Sequence, residues 1–272
     1  MEVKQLKTID AKTFNLAFSD YQVPFHFSER QLEWNLRKNS FDKTCSVGLY
    51  DKDELCGFIL NGRRDDKAYD CGTAIIREYR GNGYAHLLVN EAISLLKEQG
   101  LAKWMLEVIT NNTKALGLYQ NHGFVIGREL ACYRMDSSDL KRDPQVNLIP
   151  ASKEILQLAP PCKSSWQNDN TSLIVGKVPL FAIRAGRSDV GYLALAVKSG
   201  SVMQLFIADE RRGHGYGQGA LRCVADLTHN ASIKFINVDT AYKPMTGLLE
   251  KTGFSCFARQ YEMQYLLNSA IV

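Results

Sequence analysis

The sequence predicts an α/β fold of the α+β kind, built as two related units, each a mixed, mostly antiparallel sheet flanked by helices. Three observations carry that expectation. A glycine-rich segment occurs twice, as Arg80-Gly81-Asn82-Gly83-Tyr84-Ala85 and as Arg212-Gly213-His214-Gly215-Tyr216-Gly217. Each copy follows a run of strand character, Gly72 to Tyr79 and Val202 to Glu210, and leads into an amphipathic helix, Leu87 to Lys97 and Ala220 to Leu227. Each half then ends alike, with a strand, a short helix, a Gly-Phe pair (Gly123-Phe124 and Gly253-Phe254) and a long last strand. A chain of 272 residues with 45% hydrophobic content has the length and apolar content for two cores.

Taken in order, an alternating strand is expected near Val3 to Thr8, then a helix capped by Asp10 with Phe14, Ala17 and Phe18 on one face. Pro24 breaks it within Tyr21 to Phe27. A second helix starts at Ser28, with Gln31 three residues on, the pattern of a capping box. Strands follow at Cys45 to Tyr50, Leu55 to Asn61 and Ala68 to Ile76, and after the glycine loop and its helix come a strand Trp104 to Ile109, a helix Lys114 to Asn121 and a strand Phe124 to Met135. The polar segment Ser137 to Pro150, with Pro144, reads as a linker. Beyond it are expected a short helix Lys153 to Leu158, strands Ser172 to Val175, Leu180 to Ala185 and Gly191 to Val197, then loop and helix, a strand Phe235 to Asp239, a helix Met245 to Lys251 and a strand Phe254 to Leu266. The domain expectation is therefore 1–137, a linker 138–150, and a shortened second unit 151–272.

Composition narrows the function. A net charge of +4 suits an anionic small ligand and, without a long basic run, argues against nucleic acid. Arg63 and Arg64 are neutralised at once by Asp65 and Asp66. Met1 to Gln5 lacks the apolar core of a signal peptide, and no apolar stretch has membrane-spanning length, so no membrane partner is expected. The seven cysteines, Cys45, Cys56, Cys71, Cys132, Cys162, Cys223 and Cys256, show no metal spacing, and the five histidines are scattered. A cytoplasmic protein without a metal is expected. Cys132 and Cys223 have no basic partner nearby in sequence that would make either a nucleophile.

A strand that turns through small residues into a helix aims unpaired backbone N–H groups at one spot, and the helix dipole adds positive potential there. Both glycine loops therefore read as pyrophosphate cradles. Further on, Asn112 is followed by Ala115, Leu118 and Tyr119 on one helical face, then by Gly123 and Phe124.

Together these segments resemble the GNAT superfamily of N-acetyltransferases. The family's Arg/Gln-x-x-Gly-x-Gly/Ala motif matches Arg80, Gly83 and Ala85, and its Asn…Ala…Tyr…Gly-Phe segment matches Asn112, Ala115, Tyr119, Gly123 and Phe124. The resemblance spans roughly Val3 to Met135. The second half matches the loop motif at Arg212, Gly215 and Gly217, but counting back from Gly253-Phe254 puts Leu249 where Tyr119 stands and Tyr242 where Asn112 stands. It thus resembles a tandem GNAT protein whose second unit keeps the phosphate loop and has lost the acid.

The resemblance implies acetyl-CoA as co-substrate and direct attack of an amine, of a small molecule or a peptide, on the thioester. The amides of Arg80, Gly81, Asn82, Gly83, Tyr84 and Ala85 would hold the pyrophosphate, Ala74, Ile75 and Ile76 the pantetheine, with Asn112 in the same motif. Tyr119 is the expected acid for the leaving thiolate; the alternative is a core aromatic. Glu107 or Asp70 is the expected base, or else either is a solvated strand carboxylate. His122 reads as a helix cap. Tyr21, Phe25, His26, Phe27 and Trp34 either hold the amine by cation–π contact or pack the helix pair. His214 and Tyr216 contact CoA or decorate the surface. Three alternatives stay open: an acyl-CoA-binding or interaction module without turnover, an aminoacyl-tRNA donor, which the modest charge disfavours, and activity in the second unit through Tyr242 or Tyr261. Oligomerisation is open.

Overall fold

The computed structural model describes residues 1–23, 26–140, 145–158, 164–228 and 231–268. The chain divides into two compact units, Met1–Arg128 with the residues from Gln260 onward, and Glu129–Arg259. This differs from the expected division of 1–137 and 151–272. Each unit is completed by a strand from the other half of the sequence, because pairing between distant strands decides membership and local pattern does not report it.

Unit 1 begins with β1 (Glu2–Gln5), α1 (Ala11–Ala17) and α2 (Glu29–Lys38). Asp10 caps α1 by accepting from the Thr13 amide at 2.7 Å, and Ser28 and Gln31 form the expected capping box on α2. Pro24 and Phe25 lie outside the described residues. An antiparallel run of β2 (Val47–Asp51), β3 (Glu54–Arg64) and β4 (Lys67–Ile75) follows, then α3 (Tyr84–Glu98), β5 (Lys103–Ile109) and α4 (Thr113–Asn121). Phe14, Ala17 and Leu32 pack with Phe58 and Leu60 on one face of the sheet, and Leu88, Val89, Ala92 and Leu96 of α3 pack with Trp104 and Leu106 on the other. Burial on both faces explains why β3 reads as an apolar run rather than an alternation. The segment expected as one strand to Tyr79 stops at Ile75 and turns through a single 3-10 turn, Arg77–Tyr79. The last strand of the chain, β12 (Ser255–Leu266), supplies Gln260 to Leu266, which pair antiparallel with Ile109 to Lys103 of β5.

Unit 2 takes its closing strand from the preceding half in the same way. Residues Leu130 to Asp136 of β6 (Val125–Asp136) pair with Asp239 to Ser232 of β11 (Ser232–Asp239). The other strands are β7 (Asn147–Ala151), β8 (Leu180–Ala185), β9 (Ser188–Ala196) and β10 (Ser201–Ile207), with α6 (Tyr216–Leu227) and α7 (Lys243–Thr252). β7 overlaps the end of the expected linker, whose residues 147–150 are thus part of the sheet; residues 141–144 of that linker, Pro144 included, lie outside the described residues. The expected strand Ser172 to Val175 is a helix, α5 (Asn170–Val175), because Asp169 caps it by accepting from the Ser172 amide at 2.8 Å. The expected helix at Lys153 is a 3-10 stretch, Lys153–Gln157. Among the described residues no helix is long and apolar enough to cross a membrane.

Candidate active site

The site forms where two parallel strands part. β4 and β5 pair only through Lys67–Tyr69 against Lys103–Met105, and the next residues on each strand are Asp70 and Leu106. At the same place the β3–β4 register shifts, Asn61 facing Asp70 and Leu60 facing Gly72, so Cys71 is the extra residue of a bulge. The bulge resets the alternation and brings Asp70 and Thr73 to the same side. Thr73 Oγ1 donates to Asp70 Oδ2 at 2.6 Å, and the Gly72 amide donates to Oδ1 at 2.8 Å.

Tyr119 comes to this spot from α4, its hydroxyl donating to Asp70 Oδ2 at 3.0 Å. The acid and one of the two base candidates expected from sequence are therefore one buried pair. Burial raises the Asp70 carboxyl above the usual carboxylate range, opposed by the bonds from Thr73, Gly72 and Tyr119. Burial, and then the charge of Asp70, hold the Tyr119 phenol well above its ordinary 10.0. At neutral pH Tyr119 keeps its proton. Burial first and Asp70 second also raise Tyr21, so a second phenol senses this carboxyl.

Glu107 sits two residues beyond the parting point on β5, and its Oε2 accepts a hydrogen bond from the Tyr69 hydroxyl. Facing it across the β5–β12 ladder is Glu262, paired with Arg128 at 2.8 Å. Thr73 and Tyr69 were missed in the sequence. Their only signal was proximity to Asp70, and the bulge that gives them meaning is not visible in residue types.

The first cradle has the expected backbone. Gly81 and Gly83 have φ of +83° and +78°, and a Cβ at either would project into open space. Gly83 is the N-cap of α3, so the free amides of that first turn face outward. The Arg80 guanidinium donates to the Ile75 carbonyl at 2.6 Å, to the Ala17 carbonyl at 2.9 Å and to Asp20. It ties the loop to β4 and α1, and it uses one carbonyl of the segment Ala74 to Ile76. Asn112 likewise turns inward, its side chain capping α4 by accepting from the Ala115 amide at 3.2 Å. His122 is the C-cap residue of α4, its Nδ1 at 2.8 Å from the Leu118 carbonyl.

Most of the aromatic stretch packs the helix pair. Phe27 stacks on Phe14 at 5.6 Å, Tyr21 meets Phe18 edge-on at 5.5 Å, and Trp34 lies under Lys38 of its own helix. His26 lies 3.5 Å from Asn15, while Phe25 is outside the described residues.

Unit 2 repeats the frame without the pair. Arg212 reaches the Ile207 carbonyl at 3.2 Å as Arg80 reaches Ile75, and Gly213 and Gly215 both have φ of +81°. The bulge recurs in β10, with Val202 facing Leu195 and Gln204 facing Ala194. Val202 therefore stands where Asp70 does, and Leu249 where Tyr119 does; both are buried in the unit 2 core. Tyr242 accepts from Arg212 at 3.2 Å, and His214 stacks on Tyr216 at 5.6 Å.

With this geometry in place, residues 9–124 match the model of the Acetyltransferase (GNAT) family. An N-alpha-acetyltransferase MAK3 of Arabidopsis thaliana is 32% identical over 101 residues, 35% of this chain and 53% of that protein. A [Ribosomal protein bS18]-alanine N-acetyltransferase of Haemophilus influenzae is 27% identical over 123 residues, 45% of this chain and 80% of that protein. The chain thus spans about half the length of the first of these relatives. Among solved structures, a GCN5-related N-acetyltransferase from Sphaerobacter thermophilus superposes with a TM-score of 0.70 at 14% identity, covering 96% of this chain and 92% of that one. A tandem GNAT protein from the clavulanic acid biosynthesis pathway does so with a TM-score of 0.70 at 11% identity, covering 96% and 95%. Residues 9–124, a little under half of the chain, are thus similar to the Acetyltransferase (GNAT) family, and the chain shares its fold with a tandem GNAT protein.

Proposed function

We propose that unit 1 transfers an acetyl group from acetyl-CoA to a primary amine by direct attack. The observation that carries this reading is the buried Tyr119–Asp70 hydrogen bond at the parting of β4 and β5, within the segment that matches the family. The amides from Gly81 to Ala85 hold the pyrophosphate, and the edge of β4 beyond its parting from β5, toward Ile75, pairs with the pantetheine amides as a strand would. The N–C bond forms as the C–S bond breaks. The amine proton passes to Glu107, directly or through a water, and the Tyr119 proton goes to sulfur. Asp70 holds the phenol hydroxyl in place. The upward shift keeps Tyr119 protonated in the resting site, and makes its proton harder to give until negative charge forms on the sulfur beside it. The names of the relatives favour the α-amine of a peptide or protein as acceptor over a small-molecule amine. The six cysteines among the described residues are free thiols, which fits a reducing, cytoplasmic setting.

Unit 2 supports a second reading of its own half: it keeps the loop while Val202 and Leu249 replace the pair, so Gly215, Gly217 and Arg212 frame a cradle that binds CoA without transfer. The test is thiol release from acetyl-CoA with a panel of peptides bearing free N-termini, comparing the native chain with Tyr119→Phe. Turnover falling about 10³-fold, with acetyl-CoA affinity kept, is expected. Equal turnover removes Tyr119 from the mechanism, and no acetyl-CoA binding in the native chain ends the reading.

A further inference from the structure

Resting on the proposed reading of unit 1, the buried pair at the strand parting poses a problem of charge. Asp70 is 8% exposed and Tyr119 4%, and their oxygens stand 3.0 Å apart. If Asp70 is a carboxylate when Tyr119 gives its proton to sulfur, two negative charges meet in a buried place at hydrogen-bond distance. Two acidic groups that close do not both ionise; the pair keeps one proton between them.

The surroundings of Asp70 offer its charge no cation. Among the described residues its hydrogen bonds come from uncharged donors: the Gly72 amide on Oδ1 at 2.8 Å, and the Thr73 and Tyr119 hydroxyls on Oδ2 at 2.6 Å and 3.0 Å. Two further acidic groups face it, the Cys71 thiol on β4 and the Tyr21 phenol after α1, and burial first and the Asp70 charge second push both up. Lys38 of α2 and Arg64 of β3 oppose that rise at Cys71, but neither acts on Asp70. On β5, Glu107 engages Tyr69. Burial therefore raises the Asp70 carboxyl against its three donors.

Protonated at Oδ2, Asp70 keeps every one of these contacts. Oδ1 still accepts from Gly72 and Oδ2 from Thr73, while the 3.0 Å contact reverses, Oδ2 now donating to the phenol oxygen. The phenol proton, tied to Oδ2 when the carboxyl is charged, is then free for the sulfur. Unit 2 has none of the three side chains. The residues 132 positions on from Asp70 and Thr73 are Val202 and Leu205, and Leu249 stands for Tyr119, all buried and apolar.

We infer that Asp70 is the proton source behind Tyr119, so that the acid of unit 1 is a relay from carboxyl to phenol to sulfur. As the C–S bond breaks, its electron pair goes to sulfur, which takes the Tyr119 proton. The phenol oxygen takes the proton of Asp70 Oδ2 in its place. Asp70 ends as a carboxylate, its charge met by the Thr73 hydroxyl and the Gly72 amide. Glu107 loses the amine proton to water as Asp70 regains one from water, which closes the cycle. The pair never carries more than one negative charge.

The test is the pH dependence of thiol release by the full chain, with saturating acetyl-CoA and a peptide bearing a free N-terminus, for the native protein, Asp70→Asn and Thr73→Val. An asparagine amide still accepts a hydrogen bond from the phenol but has no acidic proton, so it keeps Tyr119 in place and removes the relay. In the native protein kcat should fall as pH climbs through the Asp70 value. Asp70→Asn should lower kcat about 10²-fold, keep KM within about twofold and erase that basic limb. In mixtures of light and heavy water its rate should vary linearly with deuterium fraction, where the native rate curves because two protons move. Thr73→Val removes a donor that favours the charged carboxylate, so the basic limb should move to higher pH, and Thr73→Ser should restore it. That series decides the matter if Asp70→Asn does not fold. Native kcat in Asp70→Asn, or a basic limb that stands still in Thr73→Val, overturns the inference and leaves Tyr119 as the whole acid of unit 1. Absence of thiol release from the native protein is a separate result, which overturns the reading of unit 1 and the relay with it.

Discussion

The two units build the same turn and surround it with different side chains. Arg80 and Arg212 anchor to the carbonyls of Ile75 and Ile207, 132 positions apart, and both loops pass through two left-handed glycines. Around this common frame the side chains diverge. Asp70 and Tyr119 meet in a buried polar pair, whereas Val202 and Leu249 at the matching positions are core residues. The difference teaches that an anion cradle made of backbone is independent of the chemistry beside it. Loop amides persist whatever the side chains on the next strand become, so on the proposed reading the loop alone would mark binding, and the pair across the strand parting would mark reaction.

The sharpest way to break this comparison is to remove the acid on one side and its counterpart on the other. Tyr119→Phe should lower kcat by about 10³-fold, while Leu249→Phe, at the matching place, should leave peptide acetylation within about twofold; steady-state thiol release measures both. The cores, in contrast, should behave alike. Leu88→Ala and Leu221→Ala each empty a fully buried site, in unit 1 and unit 2 respectively, and each should cost about 3 kcal/mol in denaturant unfolding. Glu107→Gln should reduce kcat/KM about 10²-fold and remove the acidic limb of its pH profile if Glu107 takes the amine proton; a profile unchanged in shape assigns the proton elsewhere.

The smallest effect concerns pH and stability. Burial raises Asp70, whose ordinary value is 3.8, so the folded state prefers the protonated carboxyl more than the unfolded chain does. Its contribution is present in full below 3.8 and is lost as pH climbs through the raised folded value. Asp70→Asn has no such loss. The melting temperature of the variant relative to the native chain should therefore rise from pH 4 toward neutrality, and a constant difference would show that Asp70 is not perturbed by burial.

Much of this was legible in residue types. The glycine loops, the helices they cap and the helix carrying Tyr119 follow from local signals, turn residues and helical spacing, that tertiary structure left in place. Ser172-Leu173-Ile174-Val175 read as a strand because a short β-branched run is ambiguous; Asp169 as an N-cap decides for a helix. β7 was hidden in a polar, proline-containing stretch because an edge strand needs little apolar surface. The juxtaposition of Asp70, Thr73 and Tyr119 was beyond reach for another reason. It depends on one extra residue, Cys71, in a ladder whose register only the partner strand reveals.

The closing strand of unit 1 has a consequence for how the protein is made. β5, which carries Glu107, gains its neighbour only from Gln260 to Leu266, well over a hundred residues later in synthesis. A ribosome that stalls after the second glycine loop has already synthesised Asp70, Glu107 and Tyr119, yet the sheet that positions them lacks a member. Such contacts between segments far apart in a chain are slow to form. A stop just ahead of Gln260 would remove the neighbour of a strand encoded more than a hundred codons upstream. The acetylation proposed for unit 1 would then depend on a strand made long after the residues assigned to it.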